Sequence, residues 1–560
     1  MKIIIGSDHG GVDLKAALAG FLSSEGICVE DVGPQTKDSC DYPDFAGKVA
    51  LAMSKGEVDF GVLICRSGIG MAMTANRFQN VRAAVCPTVE SAVTTRQHNG
   101  ANVVCLGADL VSVDYAKEIV KAFISTPVDL SERHARRRAK LERAGRLSEV
   151  SGLAAKDPEV FKAIEAQTRQ EDYEINLIAS ENATSRECRE AAGSVLMNKY
   201  AEGYAGRRWY SGCVPVDMAE TLAISRAKEL FGAEHVNVQP HGGSAANMAA
   251  YFAVLEPGDT IMSMALDQGG HLSHGSPANF SGKLYKAVQY TVSRETEMLD
   301  YDALERQALE VRPKLLVAGA SAYPRIIDFA RIREICDKAG CMMMVDMAHI
   351  AGLVAGGAHP SPVPYADIVT TTTHKTLGGP RGGMILCKEK YAKAVDSAVF
   401  PGMQGGPLEN VIAAKAVCLR EWLNGEKQGY AQQVVKNCQV MCKTIQDRGY
   451  RIVSGGTDNH LFLIDVKASK GITGKLAAAA LDKAGIVANK NTIPFDTENP
   501  FNTSGVRMGT ASVTTRGMKE AEMIKIGTWA ADILDNIENE AVQERVKREA
   551  AELAKLFPVP

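Results

Sequence analysis

Thr370-Thr371-Thr372-Thr373-His374-Lys375-Thr376-Leu377-Gly378-Gly379-Pro380-Arg381-Gly382-Gly383 sets a lysine between a β-branched run and a glycine-rich turn. The run predicts a buried strand over Ile368–Thr372, and the glycines free the backbone just beyond it. An amine placed there is desolvated, which lowers its pKa toward the range in which it attacks a carbonyl. Upstream, Val345-Asp346-Met347-Ala348-His349 puts a carboxylate at the end of another predicted strand, 342–345. Farther upstream, Gln239-Pro240-His241-Gly242-Gly243-Ser244-Ala245-Ala246-Asn247 opens a helix with small residues whose amides can cradle an anion.

Each piece alone has a plainer reading. A lysine is most often a solvated charge, a strand-end aspartate a cap, and Gly-Gly-Ser a turn. Their order and joint presence reverse those odds: an amine for a carbonyl, an acid for a pyridine nitrogen and a phosphate cradle form the pyridoxal phosphate arrangement. The surrounding pattern agrees. Strand-like runs at Thr260–Met264, Leu315–Ala318 and 384–387 alternate with helical spacing at 245–255 and 332–339, which predicts a large α/β domain over 157–428. It begins at Asp157-Pro158-Glu159, a cap, a first-turn proline and an acid suited to a helix start. From 429 to 560 the texture becomes helix, strand (461–466), helix (474–484) and a charged terminal helix, which predicts a small α+β domain.

This part, from about residue 155 to Pro560, resembles serine hydroxymethyltransferase and hence fold type I of the pyridoxal enzymes. The resemblance is carried by Leu177-Ile178-Ala179-Ser180-Glu181-Asn182, Asn198-Lys199-Tyr200-Ala201-Glu202-Gly203-Tyr204, the Thr-His-Lys block and Phe400-Pro401-Gly402-Met403-Gln404-Gly405-Gly406-Pro407. It implies that Lys375 bonds the cofactor's carbonyl, Asp346 pairs with the pyridinium nitrogen, His271 stacks on the ring, and His349 and Ser321 bond its phenolic side. Gly243 and Ser244 would hold the phosphate, joined from another subunit by Tyr200 and Gly406. Arg507, in Thr503-Ser504-Gly505-Val506-Arg507-Met508-Gly509-Thr510, matches the arginine for the amino-acid carboxylate, assisted by Ser180 and Tyr210. Glu202 would manage protons at the hydroxymethyl group, His374 joins the catalytic set, and Asn491 falls in the loop facing tetrahydrofolate, the co-substrate. The family more often has serine where Gly242 stands. A threonine-aldolase-like pyridoxal enzyme is the rival reading, and the Glu202 and Asn489-Lys490-Asn491 blocks favour the folate enzyme.

The first part has a different rhythm. Apolar runs at 2–5, 28–32, 58–65, 81–86 and 102–106 alternate with amphipathic stretches at 12–22, 45–53 and 115–124, predicting a doubly wound parallel sheet over 1–145 with its site at the strands' carboxyl ends. Val62-Leu63-Ile64-Cys65-Arg66-Ser67-Gly68-Ile69-Gly70-Met71-Ala72-Met73 delivers a cysteine onto a glycine turn, where the amides of Gly68, Ile69 and Gly70 can face an oxyanion. It is no dinucleotide fingerprint, because Met73 stands where the third glycine belongs. A strand cysteine is commonly a small buried hydrophobe. Against that stand Ser7-Asp8-His9-Gly10-Gly11 at the first strand's end, Arg96-Gln97-His98-Asn99-Gly100 before the fifth, and Arg133 and Arg137 one helical turn apart.

Together these blocks resemble type B ribose-5-phosphate isomerase over about residues 1 to 145. The resemblance implies that His98 opens the sugar ring, Cys65 carries a proton between C1 and C2, and the amides of Gly68, Ile69 and Gly70 steady the enediolate. Asp8, His9, Ser67 and Asn99 would contact hydroxyls, while Arg137 with His9 and Arg133 would hold the phosphate. The family usually has glycine at position 66. A left-handed backbone there would cost Arg66 about 1–2 kcal/mol; otherwise its guanidinium lies outward or on an acidic neighbour. A non-catalytic sugar-phosphate-binding or dimerisation module is the rival for this part.

Composition excludes other classes. With 63 basic and 66 acidic residues the net charge is −3, which does not suit a polyanion-binding chain, and the basic run at 133–146 comes without any nucleic-acid motif. Thirteen dispersed cysteines never spaced C-x-x-C argue against a disulfide framework or thiolate metal site. No metal is expected. Met1-Lys2-Ile3-Ile4-Ile5-Gly6-Ser7-Asp8-His9 meets charge too early for a signal core, and no run is long enough to span a bilayer, which predicts a cytoplasmic protein with no membrane or nucleic-acid partner. The polar stretch 146–156 reads as a linker. The resemblances imply a homodimer or homotetramer acting on serine, glycine, tetrahydrofolate and pentose 5-phosphates.

Overall fold

The computed structural model of the chain describes residues 1–148 and 151–560; the side chains of 132, 142–148 and 151 fall outside that description. Part of the expected linker, 149–150, therefore lies outside the described residues. The chain divides into two compact units, Met1–Glu165 and Ala166–Pro560, with the division inside the helix Pro158–Tyr173 and past the linker read at 146–156. No helix among the described residues is long and apolar enough to cross a membrane.

In the first unit all five expected strands form. Their order is Cys28–Asp31, Lys2–Ser7, Phe60–Cys65, Val103–Gly107, Ala83–Val85, and every pair is parallel. Strands covered on both faces need apolar side chains on both, and alternate residues serve opposite layers. Ile3, Ile5, Val62 and Ile64 pack with Leu18 and Leu22 of the helix Val12–Ser24 and with Phe123 of the helix Val113–Ser125. Ile4, Leu63 and Cys65 pack with Val49 of the helix Tyr42–Ser54 and Met71 of the helix Ile69–Ala75. The chain turns to one side after the first strand and to the other after the second, so the crevice at the carboxyl ends of Lys2–Ser7 and Phe60–Cys65 is the switch point where such sheets bind ligands. Asp8 N donates to Ile64 O there at 3.1 Å.

The second unit is built on a seven-stranded sheet ordered Lys286–Tyr290, Thr260–Met264, Leu315–Ala318, Met342–Asp346, Ile368–Thr372, Gly383–Cys387, His235–Asn237. Gly383–Cys387 runs antiparallel to both neighbours; the other strands share one direction. One face carries Met262, Leu316, Met343, Val345 and Leu386, and the opposite face Ile261, Leu315, Val317, Met344 and Ile385, each in its own apolar cluster. Beside it lies a smaller antiparallel sheet ordered Arg451–Ile452, Leu461–Asp465, Gly505–Gly509, Asn489–Asn491. The strand Ile175–Asn176 pairs in parallel with Ile486–Val487, and Ile175 and Leu177 join the small layer's core, so a segment read as part of the large domain packs with the C-terminal one.

Candidate active sites

The sheet of the second unit brings the separate sequence blocks to one edge. Asp346 ends its strand, Lys375 and Ser321 each follow a strand end by three residues, and the helix Gly243–Val254 presents its free N-terminal amides beside them. They line a cavity of about 550 Å³ that also holds Ser180, Ser244, His271, His349, His374 and Arg507. Burial pulls the Lys375 amine down to about 8, with Arg507 and Arg381 adding to the shift and Asp346 opposing it. Part of the population is therefore a neutral nucleophile near neutral pH.

Asp346 is held by residues the sequence did not single out. Burial alone would push its carboxyl up; the His274 and Asn247 hydrogen bonds reverse this and hold it well below the usual carboxylate range. Asn247 Nδ2 donates to Oδ2 at 2.9 Å, His274 Nε2 lies 3.1 Å from the same oxygen, and Ala348 N donates to Oδ1 at 3.0 Å. Thr370 in turn donates to Asn247 Oδ1 at 2.5 Å, and Ser273 links Asn247 to His271. The result is a permanent buried anion facing the cavity. His274, Asn247 and Asp346 come from three elements far apart in the chain, so no local motif announces them.

The residues fit a phosphorylated pyridine. A Cβ on Gly243 would meet Thr372 Cγ2 at 2.6 Å, so only glycine opens the cradle at the helix start, and the hydroxyl of Thr372 is buried there with no partner among the described residues. Arg507 is 8% exposed and its guanidinium bonds Asn489 Oδ1 (3.1 Å) and Ser321 O (2.6 Å), both uncharged. Among the described residues no carboxylate pairs with it. Asn489 thus supports the arginine; neither it nor Asn491, whose amide donates to Thr492 O, lines the cavity itself.

Tyr200, Glu202, Tyr210 and Gly406 do not line the cavity either. They form a second cluster: Tyr200 Oη donates to Glu202 Oε1 at 3.3 Å, the Tyr200 and Tyr210 rings lie 5.1 Å apart, and Gly406 lies against the Tyr200 ring. Arg208 clamps this loop from beneath. Its buried guanidinium donates to the carbonyls of Ala201 and Gly203 and pairs with Asp217, Glu220 and Glu409.

Burial keeps four cavity-side imidazoles neutral: His271 is pulled down to about 4, His374 and His460 to about 3, and His349 well below its ordinary value. Each takes up a proton on unfolding once pH drops below about 6.5, so acid favours unfolding. Stability held above that pH is lost as pH falls, by up to roughly 1.4 kcal/mol per pH unit per imidazole. All three tryptophans, Trp209, Trp422 and Trp529, lie in the second unit. Tryptophan-detected urea unfolding should therefore show a lower midpoint at pH 5.5 than at pH 7, and His374→Asn should remove one imidazole's share of that slope. A midpoint flat over this range would refute neutral burial.

In the first unit Cys65 ends its strand, buried, with Gly68 N donating to Sγ at 3.1 Å and Gly68 left-handed at φ +76°. Asp8 accepts from Gly10 N at 2.9 Å, His9 Nδ1 meets the Cys40 backbone, and Ser67 Oγ accepts from Ile69 N at 3.4 Å. Gly70 follows in the helix Ile69–Ala75. Arg66 does not have the left-handed backbone that would strain it. Its side chain crosses Gly10, where a Cβ would meet Arg66 Cγ at 2.8 Å, and its guanidinium reaches Asp109 at 3.7 Å. Glycine at position 10 makes room for the arginine at 66.

His98 belongs to another cluster. Its ring stacks on that of His134 at 4.2 Å, and Arg138 donates to its carbonyl. His98, Asn99, Arg133 and Arg137 are exposed. The structure brings Asp8, His9, Cys65 and Ser67 together and places His98 with the helix Glu132–Ser148.

A buried amine, a fixed buried anion and an anion cradle at a helix start thus share one cavity of an α/β unit. The chain belongs to the serine hydroxymethyltransferase family, whose model matches residues 153–530. Residues 3–141 match the ribose/galactose isomerase family, so the chain joins domains of both.

Proposed function

We propose that the second unit interconverts serine and tetrahydrofolate with glycine and methylenetetrahydrofolate, and that the first interconverts an aldose and a ketose pentose 5-phosphate. The observation that supports the first reading best is Lys375, an amine lowered to about 8, facing the buried Asp346 carboxylate across one cavity. Bound pyridoxal phosphate supplies an electron-accepting ring for charge developing at the amino-acid Cα. Lys375 would hold it through the amine, Asp346 would keep its nitrogen protonated, and Gly243, Ser244 and Thr372 would take the phosphate. Arg507 would bind the substrate carboxylate in place of an acidic partner of its own.

Glu202 would move the proton of the serine hydroxyl. Because Glu202, Tyr200, Tyr210 and Gly406 travel together outside this chain's cavity, we assign them to the site of a second copy, which makes a homodimer the smallest active species. Serine cleavage dependent on tetrahydrofolate tests the reading; cleavage of threonine with no folate dependence would favour the aldolase reading instead.

In the first unit Cys65 would take the C2 proton and return it at C1, while the amides of Gly68, Ile69 and Gly70 face the oxygen that gains charge. His98 with Arg133 and Arg137 would serve ring opening and phosphate from its separate cluster. Arg66→Gly is expected to alter KM by about three-fold and kcat by less, since an exposed ion pair contributes little and the backbone is unstrained. Steady-state kinetics with ribose 5-phosphate check this. Silent wild type revived by Arg66→Gly would support the non-catalytic module.

A further inference from the structure

The large sheet has another cavity at the edge opposite Lys375, which none of these roles uses. Lys314, Cys341 and Asp367 each stand just before a parallel strand, Leu315–Ala318, Met342–Asp346 and Ile368–Thr372, and all three line a space of about 790 Å³. Cys341 is 7% exposed and opens on it; Cys336, five residues earlier in the helix Phe329–Ala339, lies fully buried behind. The helix ends on Gly340, left-handed at φ +69°, whose N–H donates to Asp337 O at 3.3 Å, and Cys341 N donates to Cys336 O at 3.0 Å. In this Schellman turn the residue just past the glycine packs its side chain on the one five positions back, which sets sulfur against sulfur.

The two thiols are unequal. Cys336 S–H donates to the Cys341 sulfur; that bond and the Arg333 guanidinium beside it lower the Cys341 thiol against burial and Asp367, while the same bond, burial and Asp367 raise Cys336. Arg333 is fixed there, donating to Cys341 O at 3.2 Å and to Asp367 at 2.9 Å. The thiol nearer the thiolate form is thus the one the cavity reaches, which is the arrangement of an attacking and a resolving cysteine. Around the opening, Lys314, Lys388 and Lys390 share their charge with Asp259, Glu234 and Asp367, so both signs are presented. The volume far exceeds what a peroxide fills and, with that mixed charge, suits a small disulfide carrying carboxylates and ammonium groups.

We propose that Cys341 and Cys336 form a thiol–disulfide exchange site for a small zwitterionic disulfide. The Cys341 sulfur attacks one sulfur of the bound disulfide, forming a mixed disulfide, and its proton goes to the departing sulfur. The Cys336 sulfur then attacks that of Cys341 and expels the second small thiol, which takes the Cys336 proton. The dithiol is oxidised by two electrons to the Cys336–Cys341 disulfide, and the small disulfide is reduced to two thiols.

The test incubates the full chain with oxidised glutathione, alkylates the remaining thiols and maps the peptides by mass spectrometry. Wild type should yield the Cys336–Cys341 cross-link with release of two thiols for each, while Cys188 and Cys418, which also share a hydrogen bond but line neither cavity, stay reduced. Cys336→Ala should stop with glutathione on Cys341, and Cys341→Ala should leave Cys336 unmodified. Absence of the cross-link in wild type whose exposed Cys28 has taken up glutathione would overturn the proposal, and this map decides the matter even where a variant folds poorly. Cross-linking of Cys188 to Cys418 at the same rate would mark oxidation through general opening of the fold and overturn it too. In variants that keep the wild-type thermal midpoint, glutathione on Cys336 in Cys341→Ala, or none on Cys341 in Cys336→Ala, would have the same consequence.

Discussion

Lys375→Ala is expected to lose serine cleavage by a factor on the order of a thousand or more, together with the visible absorbance of the bound cofactor. The size of the effect follows from what else is present. Lys375 is the one lysine among the residues lining the cavity; Arg381, Arg507 and the imidazoles there cannot replace a primary amine at a carbonyl carbon. Lys415 shows why the shift in pKa alone would not have identified the nucleophile. Burial pulls it further, to about 7, but its ammonium is spent on the carbonyls of Val238, Pro240 and Gly383 beneath the glycine turn, and it does not reach the cavity. Lys375→Arg keeps the charge and should fail equally, which separates loss of the amine from loss of an electrostatic contact. Isomerisation of ribose 5-phosphate by the same variants should be unchanged. Serine cleavage at the wild-type rate in Lys375→Ala would remove the assignment.

The strands that carry these groups were legible because they are buried on both faces and so read as continuous apolar runs, as in Ile3-Ile4-Ile5 or Met342-Met343-Met344-Val345. Two edge strands of the large sheet were not. Lys286–Tyr290 is half-covered and carries lysine and glutamine, and His235–Asn237 is too short to show a period. Asp346 at a strand end and Lys375 just past one could be read from position, and Ser321 from the resemblance; their supports could not. Asn247 sits one turn inside a helix whose spacing reads as ordinary packing, and His274 lies in a loop, so only the folded chain brings them to Asp346.

Sequence order was least informative where motif residues fall into separate clusters. Tyr200 and Glu202 are adjacent to the pyridoxal blocks in any alignment of motifs, yet they pack with Tyr210 and Gly406 away from Lys375. His98 likewise stacks on His134, while Cys65 packs inside the sheet with Leu63 and Met71. Residue type announces a role in chemistry, but only the fold shows which residues share a cavity.

Cys65→Ala is expected to abolish isomerisation of ribose 5-phosphate while leaving serine cleavage and the fold of the first unit in place. The sulfur ends the strand Phe60–Cys65 at the switch point, beside the turn that carries Asp8, and Gly68 N fixes it at 3.1 Å. Proton transfer between C1 and C2 needs one base on the face of the planar intermediate, and the turn from Ser67 to Gly70 brings amides but no second carboxylate or imidazole. His9 is tied to the Cys40 backbone and Asp8 to Gly10 N, which suits both to hydroxyl contacts rather than to the transfer itself. Alanine removes only a small buried side chain, so stability should fall by no more than about 1–2 kcal/mol, and circular dichroism should show the sheet retained. Exchange of the C2 proton with solvent deuterium, followed by NMR, reads the step directly. The exchange should vanish in Cys65→Ala and survive in Lys375→Ala; exchange continuing at the wild-type rate without Cys65 would move the base elsewhere and leave the cysteine as packing.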